Sequence, residues 1–141
     1  MKRKNDIQIY FENYRSRVND ILNEVELESL VNTIEAMIFA FKNGNTVYVC
    51  GNGGSAATAT HMQADFSFFT RYFTKFRPKV RALTDNAAMM TAIGNDTSFH
   101  DVFVEQLKGH FVPGDIVICI SASGNSENVI RAAKYANDNG G

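Results

Sequence analysis

Two short runs of small polar residues carry the side chains best suited to binding a ligand. Residues 51–55 (GNGGS) combine three glycines with an amide and a hydroxyl, and residues 121–126 (SASGNS) supply three hydroxyls. Glycine permits backbone conformations and close approaches that a Cβ would forbid. Serine offers a hydroxyl and, at the start of a helix, a backbone amide. Both runs are neutral and rich in hydrogen-bond donors, a chemistry that suits a phosphate or a polyhydroxy ligand.

His61 and Asp65 form a second candidate group. They are four residues apart in a segment without glycine or proline, so a helix would place them on one face, one turn apart. Such a pair can bind a metal ion or act as an acid and a base. A plain surface hydrogen bond between the two side chains explains the same spacing.

The segments around the two polar runs share one order: strand, loop and helix. Each run comes after a short β-branched or apolar segment (46–50 and 115–120) and before a helical one (55–69 and 127–139). A third strand is predicted at 79–83 and a helix at 99–111. Strands that alternate with helices predict an α/β fold with parallel βαβ units and helices on both faces of the sheet. In such sheets ligands bind at the carboxyl ends of the strands, where both polar runs lie.

The N-terminal part is predicted to be helical. Apolar residues at helical spacing predict a helix over 26–43. Residues 7–25 show the same apolar periodicity more weakly. We predict one domain over residues 1–141, with a helical arm and first helix over 1–44 and the ligand-binding α/β core over 45–141. The arm could serve an oligomer.

Composition excludes several classes of function. Fourteen basic and 15 acidic side chains nearly cancel, so no global field favours nucleic acid or an anionic membrane. No apolar run reaches the length of a signal peptide or a transmembrane helix, which predicts a soluble, cytoplasmic protein. Cys50 and Cys119 each lie in an apolar run and are predicted to be small buried core residues.

Residues 66–81 interleave six aromatic side chains with five cations, a composition also found in nucleic-acid sites. Since no nucleic-acid motif accompanies them, we expect the aromatics to pack in the core or a subunit interface and the cations to stay in water. Arg71 or Arg81 could line the ligand pocket.

Nucleotide motifs do not fit the first loop well. Gly51, Gly53 and Ala56 match the spacing of the dinucleotide fingerprint, but that motif requires an acid about 20 residues later. Residues 70–76 contain two cations and no acid, and the Gly-Lys-Ser/Thr of a P-loop occurs nowhere in the chain. We predict no nucleotide cofactor. A turn that merely caps a helix is the other alternative, and the second serine loop argues against it.

Four ordered motifs resemble a known family. GNGGSAATATH (51–61), TAIGND (91–96), DVFVEQL (101–107) and the stretch GDIVICISASGNSENV (114–129) are similar to the sugar isomerase (SIS) domain of phosphoheptose isomerases. The resemblance covers nearly the whole chain. It implies a flavodoxin-like parallel sheet, a cytoplasmic homotetramer, and conversion of sedoheptulose 7-phosphate to D-glycero-D-manno-heptose 7-phosphate for surface polysaccharide. It also implies a further strand and helix after Gly141.

The resemblance also assigns roles to individual residues. Asp65 would be the catalytic base beside His61, the same two side chains are possible zinc ligands, and the sugar phosphate would be held by Asn52, Gly53, Ser55, Asp85, Asn86, Ser121, Ser123 and Ser126. The chain departs from the family pattern at Asp65, where Glu is usual, at Ala122, where Thr is usual, and at Asp85, a carboxylate displaced by one residue. A non-catalytic SIS module that binds a phosphosugar or a partner protein is the alternative.

Overall fold

The computed structural model describes residues 2–75 and 77–141 of the chain. The chain divides into two compact units, Met1–Glu35 and Ala36–Gly141. The larger unit holds the sheet and both polar loops, so the site is built there.

Two helices account for the N-terminal region, as the apolar periodicity predicts. Helix α1 spans Lys2–Asn23 and helix α2 spans Leu27–Lys42. The first unit contains α1 and the beginning of α2, and its large apolar side chains are exposed. Met37 and Ala40, in the last turns of α2, are instead buried within the second unit.

The sheet has three parallel strands, which confirms the predicted α/β architecture. Strands β1 (Thr46–Gly51), β2 (Lys79–Ala82) and β3 (Ile116–Ile120) lie in the order β2-β1-β3. The chain therefore passes from the central strand β1 to β2 on one side and then crosses to β3 on the other side. The place where the direction reverses lies between β1 and β3, and ligands of open α/β sheets bind at the carboxyl end of that place.

Helices cover both faces of the sheet because the strands alternate apolar side chains between two cores. Helix α3 spans Gly54–Ala64, α4 Ala87–Asp96, α5 Val104–Lys108 and α6 Glu127–Asp138. Val47 and Val49 of β1 join a core with Met37 and Ala59, whereas Tyr48 and Cys50 join the opposite core, which α5 and α6 cover. This period of two is the pattern of a strand buried on both sides.

Two predicted helices are interrupted. The α-helical geometry of segment 55–69 ends at Ala64, and Asp65–Phe69 forms a π turn followed by a 3₁₀ turn at Thr70–Tyr72. The Thr70 hydroxyl donates to the Phe66 carbonyl, a back-bond that bends helices.

Segment 99–111 is likewise not one helix. It divides into a 3₁₀ turn at Phe99–Asp101, whose His100 amide donates to the Ser98 hydroxyl, and the short helix α5. Apolar periodicity alone does not distinguish a continuous helix from one divided by such local bonds.

Candidate functional site

A cleft of about 230 Å³ opens at the carboxyl ends of β1 and β3. It is lined by Asn52, Ser55, Ile120, Ser121, Ala122, Ser123 and Ser126. The two polar runs therefore meet, as the sequence predicts, at the reversal point of the sheet. We call this space the serine cleft.

Three hydroxyls of the second loop converge in the serine cleft. The Ser121 oxygen lies 3.5 Å from that of Ser123 and 3.4 Å from that of Ser126. Both distances exceed the usual 2.5–3.0 Å of a hydroxyl–hydroxyl bond, so these are weak contacts that a charged ligand could replace. Backbone amides fix the oxygens themselves, since Gly124 N–H donates to Ser121 at 3.1 Å and Asn125 N–H donates to Ser123 at 3.2 Å.

The first loop depends on two glycines for different reasons. A Cβ at Gly51 would lie 2.6 Å from the Ser55 Cβ and 2.8 Å from the Ile120 carbonyl oxygen, so the end of β1 packs directly against α3 and β3. Gly53 has a φ of 55° and a ψ of −119°, in a region that side chains rarely adopt. These two requirements turn the chain sharply from strand to helix beside the cleft.

An amide pair joins the first loop to α6. Asn52 and Asn128 exchange two side-chain hydrogen bonds, each 2.9 Å long, and Asn128 is only 3% exposed. Sequence reasoning missed Asn128. Its signal was a polar residue on the buried face of α6, one and two turns before Ala132 and Ala136. The pair sets the distance between the two loops.

Helices α3 and α6 both begin at the serine cleft. In the described part of the chain no side chain caps either helix: Gly53 has none, and the Ser126 hydroxyl makes no capping bond. The positive ends of the two helix dipoles and their first amides thus face the cleft from two directions. An anion at this point is favoured by amides, dipoles and hydroxyls together.

His61 and Asp65 lie outside the serine cleft. The His61 Nε2 is 3.4 Å from Asp65 Oδ2, and the side chains are 79% and 47% exposed. The predicted one-turn spacing is therefore present, at the end of α3 and the start of the π turn. Asp65 also borders an apolar hollow formed with Phe66, Phe69 and Phe73.

Asp85 and Asn86 line a separate cleft of about 430 Å³, together with Gln63, Arg81 and Gln106. The Asp85 carboxylate accepts hydrogen bonds from the Thr60 hydroxyl and the Gln63 amide, so it is fastened to α3. The Asn86 side chain caps α4 by accepting from the Met89 amide at 3.0 Å. Local bonds thus occupy both side chains, and neither borders the serine cleft.

In segment 66–81 the described cations are exposed, as expected, and the described aromatics are divided between core and surface. Arg71 does not merely stay in water: its guanidinium stacks on the rings of Phe68 and Tyr72, with centroid distances of 4.0 Å and 4.8 Å. Phe66 packs against the core beside Phe41, whereas Phe73 is exposed. Phe76 lies outside the described residues. Neither Arg71 nor Arg81 lines the serine cleft.

The described residues supply few metal ligands. His61 and Asp65 are two donors of suitable chemistry, but within the described ranges no group of three or more His, Cys, Asp or Glu side chains is placed to hold a metal ion. Zinc takes three or four protein ligands. These residues do not make up a zinc site on their own, and zinc binding by His61 and Asp65 stays a prediction.

Comparison with known proteins identifies the family. The family model described as the SIS domain matches residues 10–141. The chain belongs to the SIS domain family. This SIS domain is similar to the phosphoheptose isomerase of Clostridium acetobutylicum, at 42% identity over 114 residues (81% of this chain and 58% of the relative). It is also similar to that of Aquifex aeolicus, at 42% over 118 residues (83% and 61%).

Two solved structures share the architecture of this SIS domain. The phosphoheptose isomerase of Neisseria gonorrhoeae has 33% identity and a TM-score of 0.82, over 96% of this chain and 69% of that one. The Francisella tularensis phosphoheptose isomerase has 31% identity and a TM-score of 0.83, over 98% and 71%. The chain spans about three fifths of the length of the first two curated relatives. None of the described helices is both long enough and apolar enough to cross a bilayer.

Proposed function

We propose that the protein isomerises sedoheptulose 7-phosphate to D-glycero-D-manno-heptose 7-phosphate through an enediol. The observation that carries the proposal is the convergence of three serine hydroxyls with Asn52 and Ser55 in one neutral cleft at the reversal point of the sheet. The printed names of the relatives and of the solved structures supply the substrate.

Phosphate binding in the serine cleft would need no cation from the lining side chains. The helix N-termini of α3 and α6 supply amides and positive dipole ends, and Ser55, Ser121, Ser123 and Ser126 supply hydroxyl donors. Hydrogen bonds to an ionised acceptor are about twice as strong as neutral ones. The phosphate would therefore anchor one end of the sugar.

The reacting carbons would lie at the other end of the sugar, near His61 and Asp65. His61 lies six residues after Ser55 on α3, a rise of about 9 Å, which is comparable to the reach of an extended seven-carbon chain. Isomerisation transfers a proton between adjacent carbons. In this proposal the Asp65 carboxylate removes the proton from C1 of the ketose and returns it to C2, while His61 transfers the proton of the C1 hydroxyl to the oxygen on C2.

We also propose the setting that the family implies. The chain would act as a cytoplasmic homo-oligomer, a tetramer, and its product would serve heptose and surface polysaccharide synthesis. His61 and Asp65 would supply two of the three or more ligands that zinc needs, and the metal would polarise the carbonyl. The apolar face of α1, with Phe11 68% and Ile21 61% exposed, supports assembly with further copies of the chain.

A non-catalytic SIS module that binds a phosphosugar is the second candidate. The high exposure of His61 and Asp65 favours it, because catalytic sites usually exclude water from their reacting groups. Asp65 is also one methylene shorter than the glutamate usual in the family. A misplacement near 1 Å can cost about 100-fold in rate.

The test supplies the purified protein with sedoheptulose 7-phosphate, with and without added zinc, and follows the aldose product together with binding by calorimetry. We expect both binding and turnover. Asp65→Asn should lose turnover and keep affinity, and Asp138→Asn, an exposed change at the end of α6, is its matched control. Binding without turnover would favour the non-catalytic module instead.

Removing two hydroxyls tests the serine cleft separately. Ser123→Ala combined with Ser126→Ala should weaken sugar-phosphate affinity by about 100-fold or more, because each of the two lost bonds to a charged group is worth roughly 1.5–3 kcal/mol. Ser16→Ala combined with Ser29→Ala, in the first unit, is the control. Unchanged affinity in the cleft variant would overturn the assignment of this cleft.

A further inference from the structure

Cys50 and Cys119 face each other across the two strands that end at the serine cleft. They are register partners in the β1–β3 pair, and their Sγ atoms lie 3.8 Å apart. The two cysteines are the only ones in the chain. The sequence predicts two small buried core residues; the structure places them as a close pair, with Cys50 buried and Cys119 partly exposed.

The positions suit a covalent bond. Neighbouring strands are about 4.7–4.9 Å apart, which falls within the 4.4–6.8 Å between Cα atoms that a disulfide spans. Closing the bond needs the sulfurs to approach from 3.8 Å to about 2.05 Å, a movement of about 1 Å for each side chain. The strand ladder resists this movement, and strained disulfides are the reducible ones.

We propose that Cys50 and Cys119 form a reversible disulfide that alters the serine cleft. The bond would lie one residue before Gly51 on β1 and one before Ile120 on β3, and these two residues are themselves register partners. Gly51 packs so closely that an added Cβ would lie 2.8 Å from the Ile120 carbonyl oxygen. Because this packing is so close, a movement of the strands at the two cysteines would also move the loop residues Ser55 and Ser121.

The two sulfurs have different roles in the reaction with a peroxide. Cys119 is the more accessible, and its hydrogen bond with Cys50 lowers the pKa of its thiol. The same bond and burial raise the pKa of Cys50. The Cys119 thiolate attacks one oxygen of hydrogen peroxide, the O–O bond breaks, and water and a sulfenic acid result.

The second step closes the disulfide. The Cys50 sulfur attacks the sulfenic sulfur, the S–S bond forms as the S–O bond breaks, and the proton of Cys50 leaves with the hydroxide as water. In total two thiols lose two protons and two electrons, and one peroxide becomes two waters. A small dithiol reverses the reaction by thiol–disulfide exchange.

The test treats the reduced chain with a small excess of hydrogen peroxide and counts free thiols after denaturation. We expect two thiols to fall to none, with a mass lower by two hydrogen atoms, no covalent dimer on a non-reducing gel, and full recovery with a dithiol. Cys50→Ser should instead yield a sulfenic acid at Cys119 that dimedone traps. Two remaining thiols, dimers alone, or overoxidised Cys119 in the unaltered chain would overturn the disulfide.

The link to the cleft has its own readout. Hydrogen exchange of peptides covering residues 51–55 and 121–126 should differ at least about twofold between the reduced and oxidised chain, and it should not change on peroxide treatment of Cys119→Ala. Disulfide formation with unchanged exchange at both loops would overturn the link. This readout needs no sugar, so its outcome is independent of the proposed isomerase activity.

Discussion

The amide pair of Asn52 and Asn128 is the residue-scale contact that joins the two halves of the serine cleft. Each side chain both donates and accepts, at 2.9 Å, so the orientation of one amide fixes the orientation of the other. Asn128 is buried, and a buried polar group that loses its partner costs its full desolvation penalty. The pair therefore contributes to stability and to loop position together.

Asn128→Ala should destabilise the protein by about 1–3 kcal/mol, because it removes two hydrogen bonds and leaves the Asn52 amide without its partner. It should also weaken sugar-phosphate binding, since Asn52 lines the cleft. Urea unfolding and calorimetry measure the two effects. Asn139→Ala, which removes a single bond to Tyr135 at the other end of α6, is the control. Equal stability of the two variants would contradict the structural role given to the pair.

At the scale of elements, the turn from β1 into α3 is the tightest junction of the site. Gly51 meets Ser55 and Ile120 at distances where any side chain clashes with backbone, whereas Gly54, the first residue of α3, has nothing within 4 Å of an added Cβ. Two glycines three residues apart thus have different structural requirements. The first is fixed by packing, and the second is a helix residue in open space.

Gly51→Ala should therefore destabilise the protein by about 1–3 kcal/mol, the usual cost of overpacking, and could cost more because two of the three contacts are with backbone atoms. Gly54→Ala should be neutral or stabilising by up to about 1 kcal/mol, because alanine is the better helix former. Thermal and urea unfolding of the two matched variants decide the point. A Gly51→Ala protein as stable as Gly54→Ala would show that the junction is looser than these distances indicate.

The sequence predicts those features that residues close together in the chain determine, and it misses those that depend on contacts between distant residues. The strands and the serine loops were found because a β-branched run followed by glycine and serine is a local pattern. Sugar binding by Asn86 stays a prediction; its oxygen also caps α4 by accepting from the Met89 amide, a local contact three residues along the chain. Asn128 was missed because its partner is 76 residues away. The division of helix 99–111 depends on single side-chain bonds that periodicity does not reveal.

On the scale of the whole molecule, the first unit carries an apolar face with no described partner among residues 2–35. Ile7, Phe11, Tyr14, Val18 and Ile21 follow one another along α1 at intervals of four and three residues. All five are exposed. This is the spacing of a helix seam that packs against another helix. A polar set including Ser16 and Asn19 occupies the other side of α1, so the helix has one face for association and one for water.

Charging that seam should dissociate the proposed oligomer. Phe11→Glu combined with Ile21→Glu places two charges where apolar side chains would meet, and we expect multi-angle light scattering to shift from an oligomer to a smaller species at micromolar concentration. Ser16→Glu with Asn19→Glu adds the same charge away from the seam and should leave the mass unchanged. Circular dichroism establishes that both variants keep their helices. A monomeric unaltered protein, or a seam variant with the oligomer intact, would remove α1 from the assembly.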